Sequence, residues 1–160
     1  MDRLRCIAHA AVFVGCIVAG GGAYAQVGGV LANLIGQAVG RVVGNAVVAD
    51  DKKIPNSILP ALAEDINKRL PVQRTKHLVL TRVQSGPGKR FTFLYKTPDI
   101  AVSEIDSTGM RSSTQLGAEQ DACTIHKFFM RYGVTIVYAI TDRDGNQFFR
   151  PIEIRPRTCI

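Results

Sequence analysis

The stretch VTIVYAITDRDGNQFFRPIEIR, residues 134–155, decides how the C-terminal part of the chain folds. Val134, Ile136, Tyr138 and Ile140 alternate with Thr135, Val137, Ala139 and Thr141, the period-two pattern of a half-buried strand. Asp142-Arg143-Asp144-Gly145-Asn146 turns the chain, and Gln147 to Arg155 returns it as a second strand. Pro151 has no N–H to give to a ladder, which places the return at a sheet edge or a bulge. The alternating oxygens of Asp142, Asp144 and Asn146 also suit Ca²⁺. A Ca²⁺ loop, however, needs more ligands and a closing Glu, and Glu153 at that offset falls inside the returning strand. A plain hairpin turn is the expectation, with no metal.

Upstream, Gly133 stops a short helix running from Thr124 to Tyr132, directly after Cys123, with Phe128, Phe129 and Tyr132 as its apolar surface. A longer helix is predicted from Ser107 to Glu119, while residues 97–107 carry no single pattern. A second hairpin precedes them. Leu78, Leu80 and Arg82 alternate with Val79, Thr81 and Val83, and Phe91, Phe93 and Tyr95 alternate with Thr92, Leu94 and Lys96, with Gly86-Pro87-Gly88 between. With Lys89, Arg90 and Lys96 nearby, the aromatic triplet could stack bases, but it reads more simply as the core face of a strand. No nucleic-acid partner is expected. Asn56 or Ser57 caps a first helix that takes Pro60 in its first turn, repeats Ile58, Leu62, Ile66 and Leu70, and stops at Pro71. The expected fold is α+β: a four-stranded, largely antiparallel sheet with flanking helices over residues 51–160.

Two segments precede that domain. Residues 1–25 have Arg3 and Arg5, an apolar run from Cys6 to Ala19, and Ala23-Tyr24-Ala25 at the end. This is the charged, apolar and small-residue order of a secretory signal peptide, with cleavage expected before Gln26. Phe13-Val14-Gly15-Cys16 looks like a lipobox, which would lipidate Cys16, although Phe13 stands where Leu is usual. Residues 26–50 form a Gly-striped apolar helix or tether. Gly28, Ala32, Gly36, Gly40 and Gly44 recur every fourth position, with Asn33, Gln37, Arg41 and Asn45 in step beside them. Such stripes let another backbone approach closely. The segment is expected to lie on a membrane surface or self-associate, the alternatives being a helix folded back on the domain and a mobile tether. Arg41 argues against spanning. Gly36, Gly40 and Gly44 resemble the glycine-zipper segments of bacterial envelope proteins.

Removal of residues 1–25 leaves Cys123 and Cys159. An even pair in an exported protein reads as one disulfide, closing a loop of about 37 residues and worth about 4 kcal/mol by chain entropy. Two free thiols, or a metal held by Cys123, His126 and Cys159, are the alternatives; zinc needs a fourth ligand, and His77 is the one other mature histidine.

The 160 residues carry a net charge of +7, and the excess is local. Residues 52–99 hold ten Lys and Arg against Glu64, Asp65 and Asp99, and the rest of the mature chain is near neutral. Lys52, Lys53, Lys68, Arg69, Arg74, Lys76, Lys89 and Arg90 thus form a candidate basic face for an acidic partner or lipid headgroups. No nucleophile elbow, zinc-protease helix or phosphate loop occurs, and the acidic pairs Glu64/Asp65 and Glu104/Asp106 look solvated. An enzyme is not expected, nor any cofactor.

Cys123, the short helix, Gly133-Val134-x-Ile136-x-Tyr138, Asp142-x-Asp144-Gly145 and the closing Cys159 together resemble a class of small secreted Gram-negative α/β proteins. That class includes one group of type II secretion pilotins. The resemblance covers about residues 57–160, and it implies a four-stranded sheet, flanking helices and a Cys123–Cys159 disulfide. The expected function is that of an exported envelope protein, periplasmic or secreted and associated with the outer membrane, that binds another protein or serves assembly. A pilotin-like chaperone of an outer-membrane secretion component, or a soluble periplasmic enzyme or inhibitor, is the alternative.

Overall fold

A computed structural model describes residues 23–45 and 55–159. Residues 1–22 of the expected signal peptide, residues 46–54 with Lys52 and Lys53, and the lipobox at Cys16 lie outside the described residues. Two antiparallel units share one sheet. Strands β1 (Val72–Thr75), β2 (Leu78–Gly86) and β3 (Arg90–Lys96) form a meander, and β4 (Thr135–Thr141) with β5 (Ile152–Ile154) forms a second pair. Their order across the sheet is β1-β2-β3-β4-β5. β3 and β4 run parallel, in register from Arg90 opposite Thr135 to Lys96 opposite Thr141.

The sheet therefore has five strands and is mixed, which corrects the expected four-stranded, largely antiparallel one. The added strand, β1, is four residues long with Val72 as its one aliphatic side chain, too short to show an alternation. The parallel seam follows from burial. Phe91, Phe93 and Tyr95 stand opposite Ile136, Tyr138 and Ile140, and all six side chains are buried on the same face. Joining two parallel strands needs a long crossover. Here it contains α3 (Ser107–Thr124) and α4 (Lys127–Arg131), longer and shorter respectively than their apolar patterns predict.

Helices α1 (Ala23–Asn45) and α2 (Ile58–Asn67) cover the same core. Ile58, Leu59, Leu62, Ala63 and Ile66 make up the buried side of α2. Its last polar residue, Asn67, reaches the sheet: the carboxamide donates to the Val83 carbonyl at 2.8 Å and accepts from the Val83 N–H at 2.7 Å. β1 pairs with β2 only over Leu78–Leu80, so Asn67 supplies at Val83 the partner that a longer β1 would give. In α1, Leu31, Leu34, Ile35 and Ala38 are buried at the i, i+3, i+4, i+7 spacing of one helix face. That face packs on α2 and β1.

Two turns fix the seam's ends. Gly133 adopts φ 76°, and the Val134 N–H bonds the Phe129 carbonyl at 3.0 Å, which ends α4 in a Schellman-type stop. Asp142 is buried and accepts from the N–H groups of Val102 (3.1 Å), Asp144 (2.9 Å) and Asn146 (2.8 Å) and from the Asn146 amide (3.2 Å). Burial alone would raise the carboxyl, but those donors hold its pKa down at about 2. Its oxygens serve the β4–β5 turn and tie it to the 3-10 turn Val102–Glu104.

Candidate functional site

The described members of the expected basic face do not gather on one surface. Lys76 and Lys89 flank opposite ends of nine-residue β2, which at about 3.3 Å per residue puts them roughly 25 Å apart. Lys68 pairs with Glu64 at 3.2 Å, and Arg69 pairs with Asp65 at 3.0 Å while donating to Gln37 of α1 at 2.9 Å. Lys89 donates to the Tyr132 carbonyl, and Arg90 pairs with Glu153 across the sheet. Arg74 turns inward. Its guanidinium meets Asp121 of α3 at 2.5 Å, and the two side chains are 12% and 22% exposed.

The glycine stripe lies on the other side of α1 from the packed face. Ala32, Gly36 and Gly40 are exposed, beside exposed Asn33, Gln37 and Arg41. A Cβ built at Gly36 or Gly40 would meet nothing within 4 Å. Gly28 and Gly44 belong to the same helix, and their surroundings are outside the described residues. The helix thus folds back on the domain with its aliphatic side and offers its small-residue side outward.

Cys123 and Cys159 are bonded, with S–S 2.06 Å and Cα atoms 5.3 Å apart. The bond ties the last turn of α3 to the closing 3-10 turn Pro156–Cys159. Asp121 and His126 flank Cys123 in sequence, so the bond also clamps the stretch that lies over Arg74.

Under that clamp lies a group of side chains that no motif brings together: Arg74 of β1, Tyr95 of β3, Tyr138 of β4, Asp121 of α3 and His126 of the α3–α4 link. Tyr95 and Tyr138 are diagonal neighbours on the same face of adjoining strands, with rings near-parallel and centroids 6.4 Å apart. His126 is fully buried, 4.3 Å from the Phe93 ring and 6.0 Å from that of Tyr138. Burial, with the Arg74 charge in support, pushes its pKa down to about 3, so the imidazole is neutral. Burial pushes Tyr95 up to about 12 and Tyr138 well above the usual phenol value. It also raises the Asp121 carboxyl, against the pull of Arg74. For Arg74 burial opposes the charge, yet the neighbouring phenols and Asp121 raise its pKa.

The cluster is polar and only partly satisfied. Among the described residues, Arg74 Nη1, the Tyr95 and Tyr138 hydroxyls and both ring nitrogens of His126 are buried without a well-formed hydrogen bond, the Arg74 guanidinium and the Tyr95 hydroxyl interacting only loosely. Such groupings of perturbed titratable side chains mark candidate sites. The sequence singles out Arg74 as a surface charge and Tyr95 and Tyr138 as core. Asp121 carries no local signal, because the contact spans 47 positions of the chain. Among the described residues no three His, Cys, Asp or Glu side chains gather as a metal site.

No protein-family model and no curated protein sequence matches the chain. A solved structure from Pseudomonas aeruginosa, described as a "putative secreted protein", is similar in fold, with a TM-score of 0.53 over 66% of this chain and 92% of that one. At 13% identity the likeness is one of fold: an α+β domain with helices laid on a sheet.

Proposed function

We propose that this is an exported envelope protein whose disulfide-closed α+β domain acts as a binding or assembly module, with α1 presenting the contact surface. The observation that carries the reading is the outward stripe Ala32, Gly36 and Gly40, open to solvent on a helix whose aliphatic side is already used by its own domain. A flat face of small residues flanked by Asn33 and Gln37 lets a second backbone approach and offers hydrogen bonds at its edge. With Leu31, Leu34, Ile35 and Ala38 packed inward, Val30 is the one large apolar side chain left exposed among the described residues of this helix, which favours a protein partner or a second copy over the membrane surface. No described helix is long and apolar enough to cross a membrane.

Export is supported by the signal-like order of residues 1–25, by the Cys123–Cys159 bond, and by the secreted description of the structural neighbour. The test is the double substitution Gly36→Leu/Gly40→Leu. The bulk projects into open space, so the Tm should hold within a few degrees. Concentration-dependent sedimentation, and capture of envelope proteins by the mature chain, should both be lost. Association unchanged by the two leucines refutes the assignment of α1 as the contact surface.

A further inference from the structure

We propose that Arg74, Tyr95, His126 and Tyr138 line an internal binding site for a compact, uncharged hydrogen-bonding ligand: water, or a small solute bearing a hydroxyl or amide. Five polar atoms from four side chains, Arg74 Nη1, Tyr95 OH, Tyr138 OH, His126 Nδ1 and His126 Nε2, are shielded from solvent without a well-formed protein hydrogen bond, the Arg74 guanidinium and the Tyr95 hydroxyl lying near enough to interact with each other. Each orphaned polar atom in an apolar interior is costly, and native proteins meet such groups with an internal ligand of two to four hydrogen bonds. The five atoms belong to one locality. The rings of His126, Tyr138 and Tyr95 follow one another at centroid spacings of 6.0 and 6.4 Å, and the Arg74 charge acts on all three.

The charge balance selects the ligand. Asp121 already matches the Arg74 guanidinium at 2.5 Å, so an added anion would meet the Asp121 carboxylate and an added cation would meet the guanidinium. The remaining groups are neutral. Arg74 Nη1 can only donate, each phenol can donate or accept, and the neutral imidazole does one of each at its two nitrogens. The occupant therefore needs an acceptor for Arg74 and a donor for a phenol or the imidazole, a requirement that hydroxyl, amide and water share. Arg74 and Asp121 reach solvent while Tyr95, Tyr138 and His126 do not. The ion pair thus forms the outer rim of the site and the three rings its inner wall.

The experiment uses the mature, oxidised chain. Tyr95→Phe and Tyr138→Phe keep ring and volume and remove one hydroxyl each. If the hydroxyls hold an occupant, each variant lowers Tm by several degrees, and a crystal structure of the unsubstituted protein shows ordered density within roughly 3.2 Å, the hydrogen-bond limit, of at least two of the five atoms. Native mass spectrometry separates the sources: an added small mass lost after unfolding in urea and refolding identifies a solute, and no added mass identifies water. Variants that raise Tm, as removal of a truly orphaned hydroxyl does, together with a dry cluster in the crystal, overturn the proposal.

Discussion

His126 should make the domain acid-sensitive, by an amount that its burial sets. The imidazole has no exposed surface and a folded-state pKa of about 3, against an ordinary value of 6.5. The unfolded chain therefore takes up a proton as the pH falls through 6.5, and the folded chain does not until about 3. The stability penalty is absent above 6.5, grows between the two values, and is constant below the lower one. Between pH 7 and pH 4 it amounts to about 3 kcal/mol, at about 1.4 kcal/mol per pH unit across the window. The groups facing the ring are Arg74, which adds to the penalty, Tyr138, which stays neutral here, and Asp121 beyond them, whose raised carboxyl pKa works in the opposite sense. His126→Phe keeps an aromatic ring against Phe93 and removes the titration. Urea unfolding followed by circular dichroism at pH 7, 6, 5 and 4, on oxidised protein, gives both stability curves. The unsubstituted protein should lose about 3 kcal/mol more than His126→Phe over that range. Parallel curves would show that folding does not shift the titration of the imidazole, and the reasoning from burial would fail.

Asn67→Ala removes both hydrogen bonds to Val83 and should cost about 2–3 kcal/mol in urea unfolding, with Asn67→Asp failing to rescue because a carboxylate cannot donate to the Val83 carbonyl. Asp142→Ala strands the N–H groups of Val102, Asp144 and Asn146 and should lower Tm by several degrees at neutral pH. Because its folded pKa is about 2 against 3.8, that difference from the unsubstituted protein should vanish as the pH falls from 3.8 through 2. Reduction of Cys123–Cys159, or replacement of both by Ala, should lower stability by about 4 kcal/mol, read as a shift in the urea midpoint. An unchanged midpoint would mean that the closing turn is held by packing alone.

Strong periodicity made much of this architecture legible. Phe91, Phe93 and Tyr95 are buried as their alternation predicts, whereas β4 is buried on both faces, Val137 and Ala139 included, and is not the half-buried strand expected; the Asp142–Asn146 turn sits where the pattern breaks. What escaped was whatever depends on partners far along the chain. β1 is visible only through its pairing with β2, because Val72-Gln73-Arg74-Thr75 has no pattern of its own. The direction in which the two hairpins join is a tertiary choice that neither hairpin encodes alone. The glycine period in α1 is legible, but which side of the helix packs inward is decided by Leu31, Leu34, Ile35 and Ala38 meeting α2. The polar cluster was least accessible. Arg74 looks like one cation among ten until the fold places Asp121 against it.

The parallel seam between β3 and β4 has a consequence for how the domain assembles. Each flanking unit closes locally: the meander turns at Thr75–Leu78 and Gly86–Arg90, and β4 returns to β5 through the ten residues 142–151. The seam alone requires the chain to travel through α3 and α4 before residues 90–96 can meet residues 135–141. Chain-closure entropy makes that meeting the slow event, and it comes after the local turns are available. Two preformed half-sheets then zip along one line. Substitutions at Phe93 or Tyr138 on that line should slow refolding, whereas those in β1 or β5 should mainly hasten unfolding. Hydrogen exchange should rank the amides in the same way: seam amides exchange only through global unfolding, and the outer strands open first.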